Sequence, residues 1–93
     1  MKRVYSQQAV ADLVRLRGFI ATEDPSAAAR IAAELVARIG NLGALPHMGH
    51  EVVQAEPPAV VRDMTFDSHT VRYSVHPAAV VVLRLWHHRE DHE

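Results

Sequence analysis

From Gln7 to Thr22 the apolar residues Val10, Leu13, Leu16 and Ile20 recur at spacings of three and four, which is one face of an amphipathic helix. Asp12 and Arg15 fall toward the polar side of that helix, with Glu23 near its end. Asp24-Pro25 then punctuates the chain. The aspartate side chain can cap the free N–H groups of a second helix, and proline fits a first turn, where no N–H partner is needed. Ala28, Ile31, Ala32, Leu35, Ile39 and Leu42 continue as a second apolar stripe, and Gly40 and Gly43 mark its end. Arg30, Glu34 and Arg38 stand on the opposite side at successive i,i+4 positions, as an exposed row of charge. A link this short predicts an antiparallel helical hairpin.

The remainder reads as β-structure. Arg3–Ser6 is a short opening strand ahead of the helices. The stretch from Leu45-Pro46-His47-Met48-Gly49-His50 to Pro57-Pro58 is irregular. Three strands then follow, Ala59–Thr65, Thr70–Val75 and Ala79–Trp86, separated by the turn residues Asp67-Ser68 and His76-Pro77. Ala79-Val80-Val81-Val82-Leu83 is apolar without alternation, which predicts a strand covered on both faces. The predicted class is α+β in the order βααβββ, a helical hairpin packed on one face of a small, mostly antiparallel sheet. Residues 1–93 are read as a single domain, with no internal repeat.

Composition narrows the function. At 48% apolar and 23% charged, the 93 residues have the balance of a folded globular domain. There is no cysteine, so disulfides and thiolate metal sites are excluded. No apolar run approaches the ~20 residues of a membrane span, and the start carries no secretory pattern, so a cytoplasmic location without membrane contact is expected. Ten basic residues face eleven acidic ones, for a formal net charge of −1, and Lys2 is the only lysine. Proteins that hold nucleic acid through its phosphates carry a basic excess, so direct nucleic-acid binding by the chain alone is not expected.

The order and spacing of several segments resemble the ParE/RelE superfamily of bacterial type II toxins over nearly the whole chain. Val4-Tyr5-Ser6 with Ala9, Asp12 and Leu13 is similar to that family's opening strand and first helix. Asp24-Pro25 with Ala28, Ala29 and Ile31 resembles the start of its second helix, and Leu45-Pro46-His47-Met48-Gly49 its leucine–proline turn. Arg62, then Val71-Arg72-Tyr73-Ser74-Val75, then Val82-Leu83-Arg84-Leu85-Trp86-His87-His88-Arg89 resemble the closing strands. Three positions depart from the pattern: His50 stands where arginine is common, His88 where the family places a small or polar residue, and Glu90 where a second arginine would be. The resemblance implies a cognate antitoxin that lays a C-terminal segment across an apolar groove of the toxin, in a toxin–antitoxin hetero-oligomer.

Two targets divide this superfamily, and a shared fold does not choose between them. ParE-type members poison DNA gyrase by protein contact, whereas RelE-type members cut mRNA on the ribosome. A metal-independent ribonuclease needs an acid, a base and cations around the reacting phosphate. Arg62, His87 and His88 are the candidates for that centre, with Arg72, Arg84 and Arg89 as further cations and with His50 and Glu51 near the sheet. RelE-type toxins lean on a lysine-rich surface, and this chain instead ends in Glu90, Asp91 and Glu93. The reading is therefore ParE-type, a gyrase inhibitor and not an enzyme, with the toxic face at Arg62, Arg84, Trp86, His87, His88 and Arg89. The alternative is a RelE-type ribosome-dependent endoribonuclease. A basic concavity around Arg62 and His87 would favour RNA cleavage; a flat or mixed surface would favour protein binding. A third reading is a binding module that has lost toxicity, which His50 and Glu90 would suggest.

Several residues also have plain structural readings. Arg62 can pair with an acidic group on its own sheet face. Tyr73 reads as a packing residue, and Trp86 as half-buried against a helix. His69 and His76 flank turns, where a solvated ring is the simplest expectation. His87 and His88 are adjacent on a strand, so they point to opposite faces and do not share a metal ion with His92. No metal or other cofactor is called for.

Overall fold

The computed structural model describes residues 2–52 and 60–90. Ser6 ends the first strand, β1 (Lys2–Tyr5), and starts helix α1 (Gln7–Glu23), because its hydroxyl accepts the Ala9 N–H at 3.0 Å. The same hydroxyl donates to the Leu83 carbonyl at 3.0 Å, fixing the helix start against the sheet. The buried face of α1 is Ala9, Asp12, Leu16 and Ile20, with Leu13 packed beside it. This is a rotation from the face expected on apolar spacing: Val10 is 51% exposed, and Asp12, expected toward solvent, is 2% exposed.

Helix α2 (Ala28–Asn41) starts later than Asp24-Pro25 suggests. Asp24 closes α1, donating its N–H to the Ile20 carbonyl at 2.7 Å, and its carboxylate accepts the Ser26 hydroxyl at 2.9 Å. That side chain is spent on the turn, so Ala27 stands at the N-cap of α2 and supplies no side-chain cap. Its apolar face is as the spacing predicts, with Leu35, Ile39 and Leu42 each at most 1% exposed. The charged row divides. Arg30 pairs with Glu34 at 3.5 Å, while the Arg38 guanidinium stacks 4.0 Å above the Phe66 ring.

Strands β2 (His50–Glu51), β3 (Val61–Phe66), β4 (His69–Val75) and β5 (Ala79–His87) complete a five-stranded sheet of order β1-β5-β4-β3-β2. The β1–β5 pair is parallel and the rest antiparallel, as a mostly antiparallel sheet requires. The two residues of β2 are too few to leave a pattern in the sequence, and that stretch reads there as irregular. Ala59, the expected start of the third strand, and Pro57-Pro58 lie outside the described residues. The hairpin between β3 and β4 turns at Asp67, which takes the left-handed φ of 58° that aspartate tolerates.

The helices cover one face of the sheet. Met64, Val71, Tyr73, Val80, Val82 and Leu85 point into them and form the core with Ala9, Leu16, Leu35, Ile39 and Leu42. Ala79, Val81 and Leu83 are only half-buried, so β5 is not shielded on both faces as its valine run suggests. Arg72 pairs with Arg84 and Tyr73 with Val82, which leaves Leu83 as the extra residue of a bulge. Bulges re-aim the side chains that follow them. Here Arg84 turns toward α1.

Candidate functional site

β5 outlasts its neighbour. β1 pairs with it only as far as Tyr5–Val82, so the backbone from Leu83 onward has a free edge beside the helical layer. Side chains close that edge. The Ser6 hydroxyl reaches the Leu83 carbonyl, the Asp12 carboxylate accepts the Leu85 N–H at 2.9 Å, and Arg15 donates to the Leu85 carbonyl at 2.9 Å. Glu90 folds back to accept the His87 N–H at 2.9 Å. An unpaired strand edge invites association with another chain, and this one is satisfied from within.

The same groups form a four-residue ionic cluster. Asp12, its side chain 3% exposed, meets Arg84 at 2.8 Å and also pairs with Arg15. Arg15 meets Glu90 at 2.8 Å. Burial alone would raise the Asp12 carboxyl, but the Arg84 guanidinium, the Leu85 N–H and Arg15 outweigh it and hold the group below its usual range. Arg15 likewise holds Glu90 low. Glu90, one of the departures from the family pattern, is thus a structural partner of Arg15.

Beyond the edge, His87 turns toward the helices and is 9% exposed. Its Nδ1 accepts the Arg89 N–H at 2.9 Å, and its ring lies 5.2 Å from Phe19 and edge-on, 4.8 Å, to His69. Burial, then Arg89 and His88, push the His87 ring below its ordinary value. His69 is not solvated. It is 3% exposed, because its position opposite His87 in the ladder places it on the helix-covered face, and neither ring nitrogen has a hydrogen-bond partner among the described residues. Burial and the neighbouring His87 lower it. The Phe66 carbonyl lies near enough to oppose that shift, though not in hydrogen-bonding geometry. Glu23, Asp24, Asp67 and Arg89 surround the cleft beside the two rings, and Arg89 pairs with Glu23 at 3.2 Å.

The opposite face of the sheet carries a different group. Asp63 receives Arg72 through two hydrogen bonds of 2.8 and 2.9 Å, and the Arg72 guanidinium lies 5.3 Å over the Trp86 ring. Trp86 is half-buried on this face, away from the helix against which it was expected to pack. His88 lies just past β5 with its Nε2 2.8 Å from the Thr70 hydroxyl, so the two adjacent histidines do diverge. His76 meets Ser74 at 2.8 Å.

Arg62 is occupied elsewhere. It donates to the Gly49 carbonyl at 3.0 Å and the His47 carbonyl at 3.2 Å, with Glu51 3.9 Å away. Tyr73, fully buried as expected, accepts the Gly49 N–H at 2.9 Å through its hydroxyl. Gly49 is required there, since a Cβ would sit 2.5 Å from the Asp63 carbonyl oxygen. Arg62 lies opposite Tyr73 and Tyr73 opposite Val82, five positions along β5 from His87. At about 3.3 Å per residue that is roughly 16 Å. Arg62 and the histidine pair therefore stand at opposite ends of the sheet, and His88 opens onto the other face. Among the described residues no three histidine or acidic side chains converge on one point; His92 lies outside them.

The comparisons with known proteins bear on this frame. The family model for the ParE toxin of the type II toxin–antitoxin system, parDE, matches residues 4–92. The chain belongs to the ParE toxin family. A chain of the solved chromosomal ParDE TA system from P. aeruginosa has the same fold, with a TM-score of 0.77 over 94% of this chain and 95% of that one, at 19% identity. No curated protein matches. The ParE branch of the superfamily, expected from the balance of charge, is the branch that the match gives. Sequence spacing did not single out Ser6, Arg15 or Glu90 as groups that close an edge, nor the stacking of Arg38 on Phe66. Those roles depend on where β1 stops and on which residues of α2 and β3 meet.

Proposed function

We propose that this ParE-family chain is the toxin half of a type II toxin–antitoxin pair, that it acts on DNA gyrase by protein contact in the cytoplasm, and that an antitoxin neutralises it in a hetero-oligomer. Family membership supports the toxin role. The observation that most favours contact over RNA cleavage is the dispersal of the acid–base candidates. Arg62 is spent on two loop carbonyls, His87 has its Nδ1 filled by the Arg89 N–H, and His88 is engaged with Thr70. General acid–base catalysis needs these groups within reach of one phosphate. The surface around both ends is mixed in charge, with Glu51 3.9 Å from Arg62 and with Glu23, Asp24, Asp67 and Arg89 near His87. No helix among the described residues is long and apolar enough to cross a membrane.

The toxic face would then be the outer sheet surface and its end, with His88 and Arg89 exposed and Trp86 half-buried beside them, and with Arg62, Arg84 and His87 holding it in shape. Inducing the chain without its antitoxin should bring SOS induction and filamentation with intact mRNA. Codon-phased mRNA cleavage lost in both Arg62→Ala and His87→Ala would replace this reading with the ribonuclease.

A further inference from the structure

The loop after α2 is rigidly held and yet presents apolar side chains to solvent. Arg62 and Tyr73 pin it from beneath through His47 and Gly49, and the close approach of Gly49 to Asp63 leaves it no slack. On its outer side Leu45 is 60% and Met48 45% exposed, beside a shallow apolar depression of about 430 Å³. Met48 also lines a second cleft of about 140 Å³ whose other wall carries Arg38. The Arg38 guanidinium lies 4.0 Å over the Phe66 ring and, among the described residues, has no ion pair or hydrogen bond. The contrast with Arg15, Arg30, Arg62, Arg72, Arg84 and Arg89 is clear, since each of those already has an anionic or carbonyl partner.

We propose that Arg38 and the Leu45–Met48 loop form one docking surface for an extended acidic segment of the antitoxin. A carboxylate of that segment sits on the Arg38 fork, and a neighbouring leucine-sized side chain sits on the apolar shelf. The inference rests on the toxin–antitoxin reading and says which face the antitoxin takes. Charge complementarity chooses the occupant: a guanidinium oriented by stacking, with its donors unused, is matched by the planar, bidentate geometry of a carboxylate. Adjacent apolar groups carried on a backbone already held by hydrogen bonds lose less entropy when covered than those of a free loop. Leu45, Met48 and Arg38 carry none of the core, so changing them leaves the fold intact.

The test uses the full chain purified with the antitoxin encoded beside it, separated and recombined, with the Kd measured by titration. Arg38→Glu, Leu45→Ala and Met48→Ala should each weaken binding about tenfold or more, the size expected of anchor residues. Val14→Ala, at a 72% exposed position of α1, should leave it within about twofold of the wild type. Reversing an acidic residue of the antitoxin to arginine should restore binding to Arg38→Glu. Wild-type affinity in all three variants, with unchanged melting, would overturn the assignment of this face while leaving the toxin–antitoxin reading intact. A wild-type chain that binds no antitoxin at all would overturn both.

Discussion

His69 shows how position in a ladder decides a residue's chemistry. Beside a turn in the sequence, it sits opposite His87 on the covered face, and its ring is buried without a hydrogen-bond partner among the described residues. An unpartnered buried imidazole stays neutral because the charged form has nothing to replace its lost water. His69 and His87 are both held below their ordinary value of 6.5. Over the interval between the folded and unfolded values, the unfolded chain binds more protons, so stability rises with pH there. The histidine contribution is complete above about pH 6.5 and is lost as the pH falls below it. Asp12 and Glu90 are depressed carboxyls, whose contribution is lost only at more acid pH, below about 4. Thermal melts should therefore show a drop in midpoint between pH 7 and pH 5.5, ahead of the carboxylate limb. His69→Phe should shrink that first drop and leave the second. An unchanged profile in His69→Phe would contradict the burial of a neutral ring.

At the scale of elements, the closed edge of β5 is the feature that most depends on distant parts of the chain. Asp12 and Arg15 both reach Leu85 across most of the sequence, and each satisfies a backbone group that β1 is too short to reach. Breaking such a link should loosen the edge more than it lowers global stability, because Arg15 and Arg84 are partly solvated. Glu90→Gln should speed hydrogen exchange at the His87 amide, and Asp12→Ala at the Leu85 amide. Asp12→Ala should also cost about 2 kcal/mol in urea unfolding, the range for a buried carboxylate that leaves an N–H unsatisfied. Protection equal to the wild type at both amides would contradict the edge as described.

This network also marks the limit of what the sequence showed. The second helix was legible because Leu35, Ile39 and Leu42 repeat in phase, and the hairpin turns because Asp67-Ser68 and His76-Pro77 separate three clear strands. The face of α1 was not, since hydrophobicity placed Asp12 outside. It is inside because a strand edge, formed some seventy residues later in the chain, needs an acceptor there. The two-residue β2 was too short to carry a period, and the valine run of β5 overstated its cover.

For the whole molecule, the near-neutral charge and the division of its arginines point one way. Most are locked into ion pairs or loop carbonyls, as in a rigid scaffold for protein contact; a ribonuclease would need several of them free around one phosphate. The family assignment and the order of every element except β2 were readable from segment order, because each of those segments carries its own turn or cap signal. The target was not, since gyrase binding and RNA cleavage share the fold and differ only in which side chains converge.

The most direct test combines purified chain, released from its antitoxin, with DNA gyrase and relaxed plasmid, and in parallel with translating ribosomes. The account predicts loss of supercoiling and accumulation of cleaved plasmid, both reversed by antitoxin, with the ribosome-bound mRNA intact. Normal supercoiling in excess chain together with cut mRNA would contradict it.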